Sequence, residues 1–462
     1  MKNYSNIYFL GIGGIGMSAL ARWFKANGFH VGGYDKTPSA LTLELEAEGM
    51  DIHYDDKVGR IPTAFYQKAS TLVVLTPAIP KDNIELVYFT SEKYEIQKRS
   101  QVLGLLTAGM TTVAISGTHG KTTTSSMTAH VLKNSGLDIS AFLGGITANY
   151  NSNLLIGAPN GIAVVEADEY DRSFLTLYPN ITVVTSTDAD HLDIYGDHQS
   201  ILDTFNQFVS QIKDKGRLIK RHGLELNVPA HVAEVTYGIG EGEIFAMNVR
   251  VEEGVFVFDY VSAHLQIKDI KLQIPGYHNV ENAVAAISVA KFLKVPVAKI
   301  KEGIETFKGV KRRFEYIVKN EEVIYIDDYA HHPAELSAFI RSAKALYPQK
   351  ELAVFFQPHL FTRTRDFANE FSESLSLADR VYLLDIYPAR ELPIAGVTSE
   401  MLLENVTSKV KKVVKKEEVL EIIKNEKLNF FATVGAGDID RLINSIKELV
   451  QSTEYKVQSH QI

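Results

Sequence analysis

Apolar and polar positions alternate in blocks along this chain, and the blocks repeat. From Asn6, "NIYFLGIGG" is a short apolar run closed by glycines, "MSALARWFKANG" carries apolar residues at helical spacing up to Gly28, and "HVGGYD" is a second apolar run. Runs of this length bounded by turn residues predict buried strands, and a helical segment between two of them predicts a βαβ unit on a parallel sheet. "STLVVLTPAIP" at residues 70 to 80 repeats the pattern, and the first domain is expected to close near residue 107. A new strand, "TTVAISG", then runs into the turn "THGKTTT" and a helix through "SSMTAHVLKNSG". "GIAVVEADEYD" and "NITVVTSTDADHLD" follow, each setting acidic or histidine residues just past an apolar run. Open α/β sheets bind ligands at the carboxyl ends of their strands, so these junctions are the expected places for chemistry.

Residues 243 to 275 break the pattern. "IFAMNVRVEEGVFVFDYVSAHLQIKDIKLQIPG" is rich in β-branched and aromatic residues with alternating stretches, which predicts a small antiparallel addition to the second domain. The helix "VENAVAAISVAKFLK" closes that domain, and "FKGVKRRFEYI" leads out of it. Beyond residue 315, "EVIYIDDYAHHPAE", "ELAVFFQPHLFTRTRD", "RVYLLDIYPARE" and "LNFFATVGAGDID" again end apolar runs in polar clusters. The expected class is α/β in three domains: residues 1–107, Rossmann-like; residues 108–314, a central α/β domain with the antiparallel β addition; and residues 315–462, Rossmann-like again. Length agrees, since 462 residues at roughly 150 per domain make about three.

Composition narrows the class. Apolar residues at 45% and charged residues at 23% match globular usage, and no apolar run approaches the roughly 20 residues that span a bilayer. A net charge of −8 argues against broad nucleic-acid binding, which depends on Lys and Arg, so the lysine-rich "SKVKKVVKKEEVLEIIKNEK" is expected to be a solvated, partly helical face. The absence of cysteine excludes disulfides, thiolate metal sites and cysteine nucleophiles, and leaves any metal to oxygen or imidazole ligands. The opening "MKNYSNIYFLGIGG" lacks the basic, apolar and small-residue succession of a secretory signal. The expected setting is the cytoplasm, with no membrane insertion and no nucleic-acid partner.

Two glycine clusters carry candidate chemistry. Gly11, Gly13 and Gly16 of "GIGGIG" fit GxGxxG between a strand and a helix, where backbone N–H groups and a helix N-terminus can meet a pyrophosphate. Asp35, at the end of the next strand, stands where a dinucleotide enzyme holds a ribose hydroxyl. A nicotinamide dinucleotide and a nucleotide-sugar both fit this cradle. In the second cluster, "GTHGKTTT", Gly117 and Gly120 let the backbone wrap phosphates, Lys121 sets its ammonium on the outer ones, and the Thr122 hydroxyl can reach Mg2+. It departs from the GxxxxGK[ST] spacing, with Ile115 where the first glycine would stand and Gly117 three residues before Gly120. The strand–turn–helix setting still predicts an ATP site, completed by Thr118, His119 and Thr123. Phosphoryl transfer needs metal ions to neutralise developing charge, and the Glu166 carboxylate and His191 imidazole, each past a strand of the same domain, are the candidate ligands beside Thr122.

Taken in order, these stretches resemble a known family, the Mur ligases of bacterial cell-wall synthesis. The likeness runs nearly end to end, through "GIGGIGMSALA", "GTHGKTTT", "EADEYD", "DADHLD", "GYHNVENAVAA", "GVKRRFE", "DDYAHHP" and "FQPHLFTRTRDF". It implies an amino-terminal domain holding a UDP-sugar, a central P-loop ATPase, and a carboxyl-terminal domain that docks an amino acid and closes over ATP. Two phosphate cradles then have separate uses, one for UDP and one for ATP. The resemblance implies Gly13, Gly14, Ile15, Gly16, Ser18 and Asp35 on the UDP-sugar, and Lys121 on the ATP phosphates. It implies Thr122 and Glu166 around one Mg2+ and His191 on a second; His278, Asn279 and Asn282 against the adenine; Arg313 on the γ-phosphate; and Asp328 on the ribose. Tyr329, His331, His359 and Arg363 would form an L-alanine pocket. A planar guanidinium pairs bidentately with an amino-acid carboxylate, a part that Arg363 or Arg365 could play. Leu360 stands where many relatives carry arginine, and residues 194 to 212 lack the lysine that several sister ligases carbamoylate.

The implied activity joins L-alanine to the carboxylate of UDP-N-acetylmuramate through an acyl phosphate, with release of ADP and phosphate. An anionic carboxylate with a poor leaving group resists an amine, so activation comes first. Mg2+, Lys121 and Arg313 would stabilise charge on the transferring group, and His331 or His332 would take the amine's proton, since imidazole titrates near neutrality. The expected partners are these small molecules alone, with the chain a monomer or weak homodimer. A recycling ligase that attaches a tripeptide, an NAD-dependent oxidoreductase built on Gly11 to Gly16, and a P-loop switch are the rivals. The oxidoreductase leaves "GTHGKTTT" idle, and "FQPHLFTRTRD" favours alanine addition.

Overall fold

The computed structural model describes residues 4–158, 160–188, 195–389, 391–452 and 455. Its apolar runs are strands in three sheets. β1 (Asn6–Leu10), β2 (His30–Tyr34), β3 (Asp51–His53), β4 (Thr71–Leu75) and β5 (Glu95–Lys98) lie in the order β3-β2-β1-β4-β5, all parallel. The chain direction around the sheet reverses between β1 and β4, which opens a crevice beyond the end of β1 where Gly11 to Gly16 begin.

The second sheet contains β6 (Thr111–Ser116), β7 (Ile139–Thr147), β8 (Ser152–Leu155), β9 (Ile162–Glu166), β10 (Ile181–Val184), β11 (Arg217–Arg221) and β12 (Ala233–Ile239). Their order is β12-β11-β10-β6-β9-β7-β8, parallel except for the β7–β8 pair at the edge. β13 (Ile244–Glu252) joins β12 in parallel, Tyr237 opposite Ile244, and β14 (Val255–Ser262) and β15 (Leu265–Leu272) follow. The β-rich reading of residues 243 to 275 holds, but the entry is a parallel step rather than a hairpin. Gly240 and Gly242, left-handed at φ 69° and 91°, loop the chain back sharply enough to allow it.

The third sheet runs β16-β17-β21-β18-β19-β20, from β16 (Glu315–Lys319), β17 (Ile324–Asp328), β18 (Ala353–Phe356), β19 (Arg380–Leu383), β20 (Val410–Val413) and β21 (Phe430–Val434). Only β16–β17 is antiparallel. The lysine-rich segment carries the edge strand β20 near its start, then a 3-10 turn at Lys416–Glu418 and a helix from Val419 to Asn425. Lys409, Lys412 and Lys415 pair there with Glu351, Glu426 and Asp385. Lysines on an edge strand discourage pairing with a foreign strand.

The chain forms two compact units. One takes Met1–Met247, Tyr260–Ile267 and Glu281–Phe307; the other takes Asn248–Asp259, Lys268–Val280 and the residues from Lys308 onward. The first sheet and strands β6 to β12 of the second share the first unit, and a single apolar cluster runs through both, joining Ile7, Phe9, Leu20 and Phe24 to Ala114, Phe142, Leu154 and Val165. The wholly buried Asn153 fastens the join: its Nδ2 donates to the Ile15 carbonyl at 2.6 Å and the Ser18 hydroxyl at 3.1 Å, and its Oδ1 accepts from Arg22 at 3.0 Å. Among the described residues no helix is long and apolar enough to cross a membrane.

Inside the first sheet's own core, Glu85 is fully buried and its Oε2 accepts from the Tyr8 hydroxyl at 2.7 Å, which in turn lies 2.8 Å from His53 Nε2. Burial pushes the Glu85 carboxyl up to about 7, against the Tyr8 hydrogen bond and with help from Asp56. A raised folded pKa means that the native state holds the proton more tightly. The stability due to protonated Glu85 is therefore complete below its unfolded value and is lost as pH rises through about 7. His53, lowered by burial, works in the opposite sense. Glu85→Gln should flatten the fall in thermal midpoint over roughly pH 5 to 8 in circular-dichroism melts. A slope identical to that of the parent would contradict this account.

Candidate active site

The site is built where β6, β9 and β10 end side by side. Ile115 of β6 stands opposite Glu166, the last residue of β9, so the carboxylate emerges beside the loop from Gly117 to Lys121. Thr122 Oγ1 donates to Glu166 Oε1 at 3.0 Å, and the Gly144 N–H on β7 donates to Oε2 at 2.9 Å. A Cβ on Gly144 would stand 2.2 Å from Glu166 Oε1, so any side chain there would evict the carboxylate. Gly117 is as constrained: its φ is 137°, and a Cβ would lie 2.0 Å from Thr185 Oγ1.

Hydrogen bonds to the end of β10 fix the loop. Thr118 and Ser186 hydroxyls are 2.9 Å apart, the His119 N–H donates to Ser186 Oγ at 2.8 Å, and the His119 carbonyl accepts from Thr185 Oγ1. Gly120, left-handed at φ 80°, caps the helix Lys121–Asn134, with Thr123 buried in its first turn. Asn282 Oδ1 accepts from Thr124 at 2.9 Å and lies beside Gly120. The structure thus gathers Gly117, Thr118, His119, Gly120, Lys121, Thr122, Glu166 and Asn282.

Lys121 carries the charge of this group. Its Nζ donates to Glu169 Oε1 at 2.8 Å, to Glu169 Oε2 at 2.7 Å and to the Gly117 carbonyl at 2.7 Å. Burial lowers its pKa, but Glu169, Asp168 and Glu166 outweigh burial and the net shift is upward, so the ammonium stays charged. Sequence reasoning took Glu166 from "EADEYD" and passed over Glu169. The only signal for it is a second glutamate three residues along the same loop, and Glu169 is 1% exposed.

Thr122 and Glu166 present oxygen donors 3.0 Å apart, the kind that Mg2+ prefers. Among the described residues no three carboxylates or imidazoles converge as a ready-made cage. His191 lies outside the described residues.

At the other cradle, Gly11 and Ile12 N–H groups donate to the Tyr34 carbonyl at 2.8 and 3.1 Å, and Asp35 Oδ2 accepts from the Gly13 N–H at 2.8 Å. Asp35 therefore shapes the turn itself. Gly14 caps the helix Ile15–Ala26, and Ile15 is exposed. Gly16 is small because Arg99 lies against it: a Cβ there would stand 2.7 Å from the Arg99 Nη1. Arg99 Nη2 is also 3.7 Å from Asp168, so a guanidinium absent from the sequence reading sits by both cradles. The Ser18 side chain is fully buried and donates to the Ile15 carbonyl at 2.9 Å, because helical spacing turns it toward Asn153.

The second unit holds its own cluster. Asp328 ends β17, and its two carboxylate oxygens accept from the Phe314 and Ala330 N–H groups, both at 2.7 Å. Burial pushes it up to about 6, against the opposing pull of Arg313. The Arg312 and Arg313 guanidiniums each lie 5.1 Å from the Tyr329 ring, and Arg313 Nη1 is 3.7 Å from Glu335. His331 Nδ1 is 3.0 Å from the Tyr329 carbonyl, and its ring centre is 5.9 Å from that of His359. His278 is lowered to about 4 by burial and stays neutral, while Asn279 Nδ2 donates to the Pro275 carbonyl at 2.6 Å. Arg363 is 8% exposed, whereas the Arg365 side chain is 53% exposed and pairs with Asp366 at 2.7 Å, which leaves Arg363 as the enclosed guanidinium of the two. His332 lies beside His331 in the loop before the helix Pro333–Leu346. It is 7% exposed, packs on Phe367, and its Nδ1 accepts from the Ala334 N–H at 3.4 Å as the cap of the helix Pro333–Leu346.

Three family models match in succession: Mur ligase family, catalytic domain, over residues 6–111; Mur ligase middle domain, over 115–290; and Mur ligase, glutamate ligase domain, over 312–432. A UDP-N-acetylmuramate--L-alanine ligase of Cytophaga hutchinsonii is 52% identical over 458 residues, covering 98% of each chain. The chain belongs to the Mur ligase family. A Mur ligase of the same name from Flavobacterium psychrophilum is 49% identical, over 97% of this chain and 98% of its own. The crystal structure of UDP-N-acetylmuramate-alanine ligase from Thermotoga maritima matches with a TM-score of 0.81 at 29% identity, covering 99% of this chain and 100% of that one. A murein peptide ligase of Psychrobacter arcticus shares the fold, with a TM-score of 0.70 at 20% identity over 96% and 98% of the two chains. The α/β fold with three sheets is that of the three-domain Mur ligases.

In a Mur ligase of this geometry, Gly144→Ala should lower ADP release by about tenfold or more while the far-ultraviolet spectrum is kept, because the new methyl displaces Glu166. Parent-level release would show that Glu166 has no fixed role there.

Proposed function

We propose that this chain joins L-alanine to the carboxylate of UDP-N-acetylmuramate, consuming ATP and releasing ADP and phosphate, in peptidoglycan synthesis. The observation that carries this reading is full-length likeness to two relatives of that activity, at 52% and 49% identity, in a chain whose phosphate loop sets Lys121, Thr122 and Glu166 together. In the domain scheme proposed with it, residues 1–107 hold the UDP-sugar, 108–314 hold ATP, and 315–462 hold the amino acid and cover the nucleotide. The reaction needs small molecules only and takes place in the cytoplasm on a monomer or weak homodimer.

The turn Gly13 to Gly16, with Asp35 bracing it, would receive the UDP diphosphate on backbone N–H groups. Lys121 would meet the outer ATP phosphates, with Asn282, His278 and Asn279 at the adenine and Asp328 at the ribose. Thr122 and Glu166 would hold Mg2+, with His191 for a second ion, and bound Mg2+ supplies positive charge that neutralises the transferring phosphoryl group. Arg313 would add its guanidinium to the same group as the sugar's carboxylate oxygen bonds to the γ-phosphorus, the bond to the bridging oxygen breaks and ADP departs, which leaves an acyl phosphate. Arg363 would clamp the carboxylate of L-alanine near Tyr329 and His359. His331, rather than the capping His332, would accept the proton as the amine attacks and phosphate departs.

Lys121→Ala should abolish ADP release while UDP-N-acetylmuramate still binds in calorimetry, and loss of both together would sink the idea of two separate cradles. Arg363→Ala should raise the KM for L-alanine by roughly tenfold or more with a smaller change in kcat, whereas Arg365→Ala should leave both near parent values. Steady-state assays with L-alanine, glycine, L-serine and the tripeptide as acceptors also test the choice of amino acid.

A further inference from the structure

An ammonium has three hydrogens to donate. In Lys121 all three have short acceptors within the protein: both oxygens of Glu169 and the carbonyl of Gly117, at 2.7 to 2.8 Å. The contact is buried, the two side chains being 13% and 1% exposed. A phosphate oxygen approaching Lys121 therefore finds a cation whose charge and donors are already spent.

The backbone holds Glu169 in this position by independent means. Its carbonyl accepts from the Tyr195 hydroxyl at 2.5 Å and from the Arg172 N–H at 2.8 Å. Asp171 and Arg172, two and three residues on, are both left-handed at φ 52° and 54°, a conformation costly for residues with a Cβ. An ion pair from Lys98 to Asp171 at 3.0 Å steadies the same turn. A turn kept in strain so that one carboxylate points into the phosphate loop is more than surface accident.

We infer that Glu169 is a positioning residue that acts through Lys121, clamping its ammonium against the Gly117 carbonyl until a triphosphate displaces at least one carboxylate oxygen. The clamp keeps the loop open and shaped without nucleotide, and it weakens ground-state binding of ATP, because each binding event must break a buried, charge-assisted hydrogen bond. It also gives selectivity: a ligand carrying less negative charge than a triphosphate has less with which to exchange. Nothing is transferred and no bond is made or broken beyond hydrogen bonds. The inference rests on Lys121 meeting the ATP phosphates, as proposed above.

The test is calorimetric binding of Mg·ATP to the full chain, without UDP-sugar, for the parent, Glu169→Gln, Lys121→Ala and the double variant. Glu169→Gln should bind Mg·ATP five- to tenfold more tightly than the parent, and the same change in the Lys121→Ala background should leave affinity unaltered. A merely structural carboxylate would loosen binding when removed, so tightening is the diagnostic sign. Unchanged or weaker binding by Glu169→Gln, or equal tightening in both backgrounds, overturns the inference. Should the Gln variant fail to fold, Glu169→Asp withdraws the charge by one methylene and should tighten binding two- to threefold; no tightening there counts against the clamp as well. If Lys121→Ala binds Mg·ATP as the parent does, the assignment of the loop to ATP fails. If Lys121→Ala binds weakly and Glu169→Gln does not tighten, only the clamp fails.

Discussion

A single buried ammonium holds the centre of this enzyme together. Glu166 and Glu169 lie within four residues of one another at the end of β9, and burial raises both carboxyls, so without a neighbouring cation they would protonate or drive the strand end apart. Lys121 supplies that cation from the first residue of the helix after β6, the neighbouring strand. Burying such a pair is costly to stability and is rarely kept for its own sake. Its use lies in shape: the loop from Gly117 to Thr122 is already wrapped before any phosphate arrives.

Around that charge the chain fixes the distance between its two cradles. Asn153 sits on the edge strand β8 and binds the first turn of the helix that follows Gly14, while the Ser100 carbonyl accepts from Thr176 Oγ1 at 2.8 Å on the other side. The apolar cluster beneath is continuous through both sheets. Joining two substrates is easier when their carriers cannot drift, since the entropy of bringing them together has been met by folding. Splitting the first two sheets into freely hinged bodies would forfeit that.

Much of this was legible beforehand. Parallel strands buried on both faces read as unbroken apolar runs, so β1, β6, β9, β10, β17, β18, β19 and β21 are each marked by their own sequence. What could not be read was pairing at long range. Glu169 meets Lys121 across 48 positions, and Asn153 meets Ile15 across 138. Adjacent histidines were equally opaque: Pro333 starts a helix, which makes His332 the cap and leaves His331 facing Tyr329 and His359. The lysine-rich run is partly helical, as its charge pattern suggests, but charge does not say which exposed part is strand, and Val410–Val413 is one.

Backbone strain separates working turns from ordinary ones. Lys93, Lys294 and Lys427 are left-handed just past the ends of helices, where such a residue closes the last turn at modest cost. Arg312 and Phe314, at φ 61° and 49°, close no helix; they flank Arg313 in the turn before β16. What keeps them there is Asp328, whose Oδ2 accepts from the Phe314 N–H, together with Glu315, whose Oε2 accepts from the Arg312 N–H at 2.8 Å. Asp328 consequently has a structural task besides the ribose contact proposed for it. With its carboxylate gone, the turn loses the acceptor that holds it in strain and Arg313 loses its aim, so an effect of that change on turnover reports on the arginine as much as on the nucleotide.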